Sequence, residues 1–507
     1  MRILLFSGLI FLHVALYAQT GGRDAVISGN IPALAGKTVE IKNACHFSRE
    51  IHVNGKGIFR AQLPVTEGYY RFDGNVIYLA RGMDLVITRH DSTDHFAGKG
   101  SIENELISKI TLLLKTWLPF SDGELAEQVR YMAIDSFIAR LNGYRSASLA
   151  LLNTHPASSY FKKTQVEEID YAVRHCANWY SLYYGVDPRK QELAFQALMS
   201  GKPEELSTYY AKETAARIKS LSWKERNRMD SIAWKGFDIN NADLFQFSDE
   251  YRQLFDIKIE ELCQLEARHR HAPDIQLDLT ALLHDQDKMR EMRLERERIK
   301  RDVIKHEISN DLIRENLLHE NARELMQPGG NIDTDFNDYL ITAKDTAYVS
   351  DVKRIYAAIK RCAPGSPAPD FAYKNVNNEQ ITLNSLKGHY VYIDVWATWC
   401  GPCAEELPHL KEVEDKYRGK NIRFVGISMD KQDDKDKWKA FVVAHFLKGT
   451  QLISDHDFRS AFATNFNITS IPRFILIDPR GKIVSPDAER PSSPKLQLLL
   501  DQLLAKN

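Results

Sequence analysis

The sequence predicts a multidomain α+β protein with a small N-terminal β-sandwich, a central helical domain and a C-terminal α/β/α domain. Short apolar runs separated by Asn-Gly and Asp-Gly pairs fill the N-terminal part, as in antiparallel sheets. Helix-spaced apolar residues then dominate a long glycine-poor stretch, and strands alternate with helices after a proline-rich break. A chain of 507 residues has room for about three domains of roughly 150 residues each.

Composition and charge are ordinary for a globular protein. Charged residues make up 27% and hydrophobic residues 44% of the chain, and the formal net charge is −1. This balance gives no electrostatic reason to bind nucleic acid or an anionic membrane surface. The six cysteines are too sparse for a disulfide-stapled scaffold, and only Cys400 and Cys403 are closely spaced.

Residues 1–18 are interpreted as a signal peptide. Arg2 supplies the positive start, an apolar run extends from Ile3 to Leu16, and Ala18 is a small residue suited to cleavage. An N-terminal membrane anchor is the alternative, but the run is short beside the ~20 apolar residues of a bilayer span. We therefore predict a periplasmic or otherwise extracytoplasmic protein, soluble and without stable membrane insertion after cleavage.

The β-sandwich is assigned to residues 20–100 and the helical domain to residues 102–360. Asn54-Gly55 and Asp73-Gly74 each lie between apolar runs and tolerate positive φ, so they predict two hairpins. The most charged predicted helix, Lys288 to Glu307, is interpreted as a solvated helix with one buried stripe. A partner-binding coiled coil is the alternative.

The last domain is assigned to residues 364–507, and it contains Cys400-Gly401-Pro402-Cys403. An apolar run, Tyr390 to Val395, precedes this motif and an amphipathic stretch follows it, which places the cysteines at a strand-to-helix junction. The positive end of the helix dipole favours a thiolate there, and the thiolate is the species that attacks disulfides. A structural disulfide or half of a zinc site is the alternative, although no second Cys or His pair lies nearby.

This last domain resembles thioredoxin-fold thiol–disulfide oxidoreductases, most of all the extracytoplasmic TlpA/ResA-like (redoxin) branch. Residues 396–403, WATWCGPC, match the active-site motif, and Ile471-Pro472 matches the proline that the family holds cis beside the disulfide. Glu406 matches a glutamate of that branch, three residues after the second cysteine. Asp394 matches the buried acid of thioredoxin proper, where the TlpA/ResA branch often has an uncharged residue. The resemblance implies a thioredoxin-like α/β/α fold and covers only this domain.

Four residues are the candidate catalytic set. Cys400 is expected to attack the substrate disulfide, and Cys403, one helical turn further, to resolve the mixed disulfide. Glu406 can accept and return the Cys403 proton, or it is an ordinary glutamate stabilised by the helix dipole. Asp394 interrupts an apolar strand, where burying a carboxylate costs free energy unless the group takes up a proton or has a charged or hydrogen-bonding partner. It is therefore either a proton-transfer group or a structural acid whose oxygens are hydrogen-bonded.

Five residues are expected to bind the substrate: Trp399, Gly401, Pro402, Ile471 and Pro472. Pro472 lacks a backbone N–H, which leaves Ile471 to offer its backbone to an extended substrate chain. A plain turn proline is the alternative. The resemblance places Trp399, just before the first cysteine, at the surface of the site.

We therefore predict an extracytoplasmic disulfide reductase that acts on protein disulfides. It is expected to take electrons from a thiol–disulfide donor, which can be a membrane-bound protein. The Gly-Pro pair and Ile471 resemble reducing family members. A disulfide oxidase or isomerase, and a partner-binding protein with redox control, are the alternatives. No cofactor and no metal are predicted. A peroxidase is rejected, because Ala397 and Ile393 stand where its threonine or serine and its proline are expected upstream of Cys400.

Overall fold

The computed structural model describes residues 24–44, 47–90, 93–119, 128–199, 212, 215–270, 286–327 and 331–505. The predicted signal peptide lies outside these residues, as does Cys45. The described chain divides into two compact units. The first contains the described residues up to Met289 with Lys305–Ile313, and the second contains Arg290–Ile304 with the chain from Arg314. The domain boundaries near residues 102 and 364 stay predictions.

Two four-stranded sheets occupy the N-terminal part of the first unit, in the orders β4-β1-β7-β8 and β3-β2-β5-β6. The rings of Phe59 in one sheet and Phe72 in the other lie with centroids 5.2 Å apart. Both side chains are buried, so the two sheets share apolar packing. The strands are β1 Ala25–Asn30, β2 Thr38–Lys42, β3 Ser48–His52, β4 Ile58–Leu63, β5 Gly68–Phe72, β6 Asn75–Leu79, β7 Asp84–His90 and β8 Thr93–Lys99.

One of the two predicted hairpins is present and the other is not. Phe72 pairs with Asn75 across Asp73-Gly74, whose φ angles are 48° and 81°. The Asn54-Gly55 hairpin is wrong, because β3 pairs with β2 while β4 pairs with β1. The turn itself forms, since Asn54 Oδ1 accepts the backbone N–H groups of Lys56 at 2.9 Å and Ile58 at 3.0 Å. It connects the edge strands of two different sheets.

Helices dominate the described chain from residue 101 to 361. The first helix buries Leu106 and Ile110, which follow the helical spacing of its apolar residues. Arg298 and Arg301 of the charged helix α8 pair with the buried Asp335 at 3.0 and 2.8 Å. The helices are α1 Ser101–Trp117, α2 Ile134–Thr154, α3 Ser159–Tyr183, α4 Pro188–Met199, α5 Trp223–Trp234, α6 Ala242–Phe247, α7 Asp249–Arg270, α8 Gln286–Glu307, α9 Asp311–Leu325, α10 Ile332–Thr342 and α11 Thr346–Arg361. None of the helices in the described part of the chain is long and apolar enough to span a bilayer.

The C-terminal part of the second unit is built on one sheet with the order β10-β9-β13-β12-β11-β14-β15. Its strands are β9 Ala372–Asn375, β10 Gln380–Thr382, β11 Tyr390–Trp396, β12 Ile422–Ser428, β13 Thr450–Ile453, β14 Arg473–Ile477 and β15 Ile483–Ser485. Its helices are α12 Gly401–Lys416, α13 Lys435–Ala444, α14 Ala461–Asn465 and α15 Pro494–Leu504.

The central strand β11 carries the candidate site at its carboxyl end. It runs parallel to β12 and antiparallel to β14, and all seven of its residues are buried. One face of the sheet packs against Val413 of α12 and Leu496 of α15, and the other face packs against Phe462 of α14. Helices cover both faces, which confirms the predicted α/β/α arrangement for this part of the chain.

Candidate active site

Cys400 and Cys403 lie where β11 ends and α12 begins, and they form a disulfide with their Cα atoms 5.3 Å apart. Cys400 is the N-cap of α12, and its Sγ accepts the backbone N–H of Cys403 at 3.2 Å. Pro402 occupies the first turn, where no intrahelical donor is lost. After reduction, an anionic sulfur at Cys400 would therefore receive a backbone N–H and the positive end of the helix dipole.

The two cysteines are 6% and 4% exposed, whereas Gly401 and Pro402 between them are exposed. The sulfur atoms thus lie just below a surface formed by the turn that joins them. Trp396 is buried beneath this turn, and Trp399 is 58% exposed beside it. The Trp399 ring lies with its centroid 6.3 Å from that of Phe458. Two aromatic side chains therefore form an apolar rim on the Trp399 side of the reactive pair.

The Ile471-Pro472 peptide is cis, as in the family that the sequence resembles. Ile471 packs against the apolar cluster that includes Cys400 and Cys403. The cysteines and this loop, widely separated in the sequence, therefore meet at one site. Pairing of the Ile471 backbone with an extended substrate chain stays a prediction.

Asp394 is buried in the middle of β11. Burial, followed by the nearby carboxylates of Glu406 and Glu414, raises its pKa to about 8. A group that titrates close to neutrality can both take and return a proton under physiological conditions. Asp394 therefore differs from a paired acid that stays ionised near neutral pH.

Glu406 is also buried, on the first turns of α12, but it has direct partners. Its carboxylate accepts the backbone N–H of Ser492 at 3.0 Å and the Ser492 hydroxyl at 2.9 Å. The guanidinium of Arg490 lies 3.8 Å away. The helix thus presents Glu406 to the segment before α15, which sequence spacing alone did not indicate.

Asp430 is a further residue of the site that the sequence reasoning missed. It is fully buried, and it accepts hydrogen bonds from the Thr398 backbone N–H at 3.0 Å and from the Thr398 hydroxyl at 2.8 Å. The Ser428 hydroxyl donates to it at 2.7 Å. Asp430 therefore fixes the loop that carries Trp399 and Cys400. The available signal was an acid directly after the apolar strand β12, but its partner lies 32 positions away.

The remaining described cysteines lie outside the site. Cys176 and Cys362 are buried free thiols, and Cys263 is also buried. Burial raises the pKa of Cys362 to about 11, and it raises the pKa of Cys176 well above its usual value. Thiols of this kind are poor nucleophiles at neutral pH. Across the described ranges, no group of three or more His, Cys, Asp or Glu side chains is arranged to hold a metal ion.

Comparison with known proteins covers the same part of the chain. Residues 364–485 match the family model described as AhpC/TSA family. A thiol-disulfide oxidoreductase ResA from Bacillus cereus is 32% identical over 120 residues, which are 24% of this chain and 66% of that protein. ResA from Bacillus subtilis is 24% identical over 144 residues, covering 26% of this chain and 70% of that protein.

Among solved structures, the thioredoxin domain of a thiol-disulfide oxidoreductase from Bacteroides vulgatus is similar to this chain at 27% sequence identity. The match covers 28% of this chain and 98% of that domain, with a TM-score of 0.26. The chain spans slightly less than two thirds of the ResA protein that it matches at 32% identity.

Proposed function

Residues 364–485 form a domain of the AhpC/TSA (redoxin) family, and from this premise we propose that the chain is a thiol–disulfide oxidoreductase working through Cys400 and Cys403. The observation that carries the proposal is the disulfide at the start of α12, beside the cis Ile471-Pro472 peptide and below the exposed Trp399. The arrangement joins a reactive sulfur pair, a backbone for pairing and an apolar rim.

The proposed reaction is reduction of a protein disulfide. The Cys400 thiolate attacks one sulfur of the substrate, a mixed disulfide forms, and the other substrate sulfur leaves and takes up a proton. Cys403, once deprotonated, attacks the Cys400 sulfur and releases the reduced substrate. The substrate gains two electrons, and the enzyme that supplied them is left with the Cys400–Cys403 disulfide. A thiol donor then restores the dithiol.

Asp394 is the proposed acceptor of the Cys403 proton. Its raised pKa suits a group that must change charge within one turnover, whereas the carboxyl group of Glu406 is already engaged by Ser492 and lies close to Arg490. Glu406 has a second role in this proposal, because its carboxyl group helps to raise the pKa of Asp394 and so makes the Asp394 carboxylate basic enough to accept a proton.

The reductase direction rests on the Gly401-Pro402 pair and on Ile471, which resemble reducing members of the family. An oxidase or isomerase would use the same residues in reverse. The reduction potential of the Cys400–Cys403 pair separates these functions, because its value reflects the relative stability of the two redox states. A strongly oxidising potential would overturn the reductase proposal.

The extracytoplasmic location rests on residues 1–18. Recovery of the protein from the periplasm with Gln19 as its first residue would support this location, and retention in the cytoplasm with Met1 in place would overturn it.

A trapping experiment tests the activity and identifies the substrate. In the full chain, Cys403→Ser should hold its substrate as a stable mixed disulfide on Cys400, and mass spectrometry would identify the partner. Cys400→Ser serves as the matched control, since it removes the attacking sulfur and should trap nothing. Equal trapping by both variants, or normal cellular function of the Cys400→Ser protein, would favour the partner-binding alternative.

A further inference from the structure

A polar cavity of about 290 Å³ lies beside the cis-proline loop within the second compact unit. Its wall combines residues from the thioredoxin-like part with residues from α8 and α9. The residues that matter here are Arg293, Arg323, Glu324, Thr469, Ser470 and Arg473. Three arginines from three different elements therefore surround one space, and Glu324 is the acid beside them.

The arginines are only partly neutralised by the protein. Arg323 pairs with Asp351 at 2.9 Å but remains largely exposed. Arg293 donates to Gln327, a neutral acceptor. Each of these two guanidinium groups therefore keeps hydrogen-bonding capacity that a carboxylate could use.

Arg473 is the most enclosed of the three. Its Nε donates to the backbone oxygen of Pro486 at 2.9 Å and lies 3.4 Å from Asp487. Its Nη2 is buried without a hydrogen-bond partner. Burial lowers the pKa of this guanidinium, which means that its positive charge is poorly compensated. An anion in the cavity would stabilise it.

The cavity adjoins the path expected for the substrate. Thr469 and Ser470 immediately precede Ile471, and Ile471 packs against the cluster that contains Cys400 and Cys403. A substrate chain that pairs with Ile471 and extends past Ser470 advances about 3.3 Å with each residue. Side chains a few positions from the substrate cysteine would therefore reach the arginines.

We propose that this cavity binds a carboxylate of the substrate, so that the enzyme prefers disulfides with acidic groups a few residues from the reacting cysteine. The planar guanidinium group of an arginine can donate two parallel hydrogen bonds to one carboxylate, which makes such a contact both strong and directional. This inference rests on the proposed oxidoreductase function and adds a substrate class to it. Acidic segments of proteins and small acidic peptide disulfides share the required chemistry.

The test compares matched disulfide peptides with the full-length protein. Each peptide carries Glu, Gln or Lys two or three residues before and after one cysteine. Glutathione disulfide represents the small acidic peptide disulfides. The ratio of kcat/KM for the Glu and Gln peptides is the measured quantity. We expect about a tenfold preference for the Glu peptide, given the usual strength of hydrogen bonds to charged groups, and a smaller preference at high salt.

Three variants locate the preference. Arg293→Gln and Arg323→Gln should each lower the Glu-to-Gln ratio several-fold, because both side chains line the cavity. Both residues are exposed, so neither substitution leaves an unsatisfied polar group in the core. Glu324→Gln should raise the ratio, since it removes the acid that competes for the arginines. Arg480→Gln, on an exposed turn of the same sheet, is the control and should leave the ratio unchanged.

The outcomes separate the two proposals. If no peptide is reduced, the oxidoreductase function fails. If the Gln and Glu peptides are reduced with equal kcat/KM, or if the Glu-to-Gln ratio is unchanged in the Arg293 and Arg323 variants, only the carboxylate site is overturned. Preference for Glu peptides without turnover of glutathione disulfide assigns the site to protein substrates. Preference for Glu peptides together with turnover of glutathione disulfide that falls in the Arg293→Gln and Arg323→Gln variants extends the site to small acidic peptides.

Discussion

Asp394 and Glu414 line the same small cavity, about 10 Å³ in volume, between α12 and the central sheet. The volume is enough for roughly one water molecule. Gly426 lies opposite Asp394 in the parallel pair β11–β12, and a methyl group at that glycine would clash with the side-chain amide of Gln451. The missing side chain at Gly426 thus makes room for the Gln451 amide, which lines the polar cavity that the two carboxyl groups share.

The Asp394→Asn variant should be more stable than the parent protein at pH 8. Because the pKa of Asp394 is raised to about 8 in the fold but is about 3.9 in an unfolded chain, the folded state binds an extra proton between these values. Its contribution to stability is present below pH 4 and is lost as the pH rises to 8. We expect a gain of a few kcal/mol at pH 8 and almost none at pH 4.

Hydrogen exchange of β11 amides in the oxidised, full-length protein measures this effect, because it reports local stability without unfolding the other parts of the chain. Asp433→Asn, at an exposed aspartate, is the matched control. Equal protection of the parent and the Asp394→Asn protein at pH 8 would contradict the raised pKa.

The Glu414→Gln variant should shift the titration of Asp394 to lower pH. Burial raises the pKa of Glu414 to about 7, so its charge forms in the same range in which Asp394 titrates. Its ionised form opposes ionisation of Asp394, while Lys411 and Lys448 face Glu414 and Glu406 faces Asp394. The pH dependence of disulfide reduction should therefore move to lower pH in this variant.

The kcat/KM profile between pH 5 and 9 gives the measurement. Glu412→Gln, at an exposed position on the same helix, should leave the profile in place. A profile for Glu414→Gln that coincides with that of the parent protein would show that the two carboxyl groups do not interact.

The Asp430→Asn variant should loosen the loop before Cys400. An asparagine amide at the fully buried position 430 replaces one acceptor with a donor that faces the donor groups of the partly buried Thr398. Leaving such groups unsatisfied costs about 1–3 kcal/mol. Faster amide exchange at Thr398 and slower insulin reduction are expected, and Asp433→Asn should change neither. Unchanged exchange at Thr398 would mean that other contacts hold the loop.

The Trp399→Ala variant should lose affinity for protein substrates and keep its stability. The ring is 58% exposed, so its removal leaves no cavity in the core. An exposed tryptophan at a binding rim commonly contributes enough for about a tenfold change in affinity. We expect KM for insulin to rise about tenfold, whereas kcat/KM for a small disulfide changes little. Loss of activity toward both substrates would instead place Trp399 in the chemical step.

Alkylation with iodoacetamide should distinguish the active cysteine from the buried thiols. After mild reduction, Cys400 should be labelled quickly at pH 7, because the start of α12 stabilises its thiolate. Cys362 should remain unlabelled in the folded protein, since it is buried, donates to the Asn465 carbonyl at 3.2 Å and has its pKa raised to about 11. Labelling of Cys362 at the rate of Cys400 would contradict this difference, and Cys362→Ala should reduce insulin normally.

The parts of the site that follow from contiguous sequence could be predicted. The strand-to-helix position of Cys400 and Cys403 depends on the local pattern of β11 and α12, which the chain carries within a short segment. The contacts of Asp430 with Thr398 and of Glu406 with Ser492 could not be predicted, because each joins two distant segments whose packing brings them together.

The same limit explains the wrong hairpin in the N-terminal part. Asn54 does form its turn, since that depends on a side chain and the next few backbone groups. Whether β3 and β4 pair with each other depends on the other strands available to each of them. In this fold β3 pairs with β2 in one sheet, and β4 pairs with β1 in the other. Local chemistry determined the turn, and tertiary packing determined the ladders.

The arginine-lined cavity draws its wall from helices that precede the thioredoxin-like part. A shortened protein that starts at residue 364 would keep Cys400 and Cys403 but would lack Arg293 and Arg323. Such a fragment, if it folds, would reduce disulfides without discrimination between acidic and neutral sequences. Substrate surveys on isolated thioredoxin-like fragments would then systematically miss the selectivity that we propose for the longer chain.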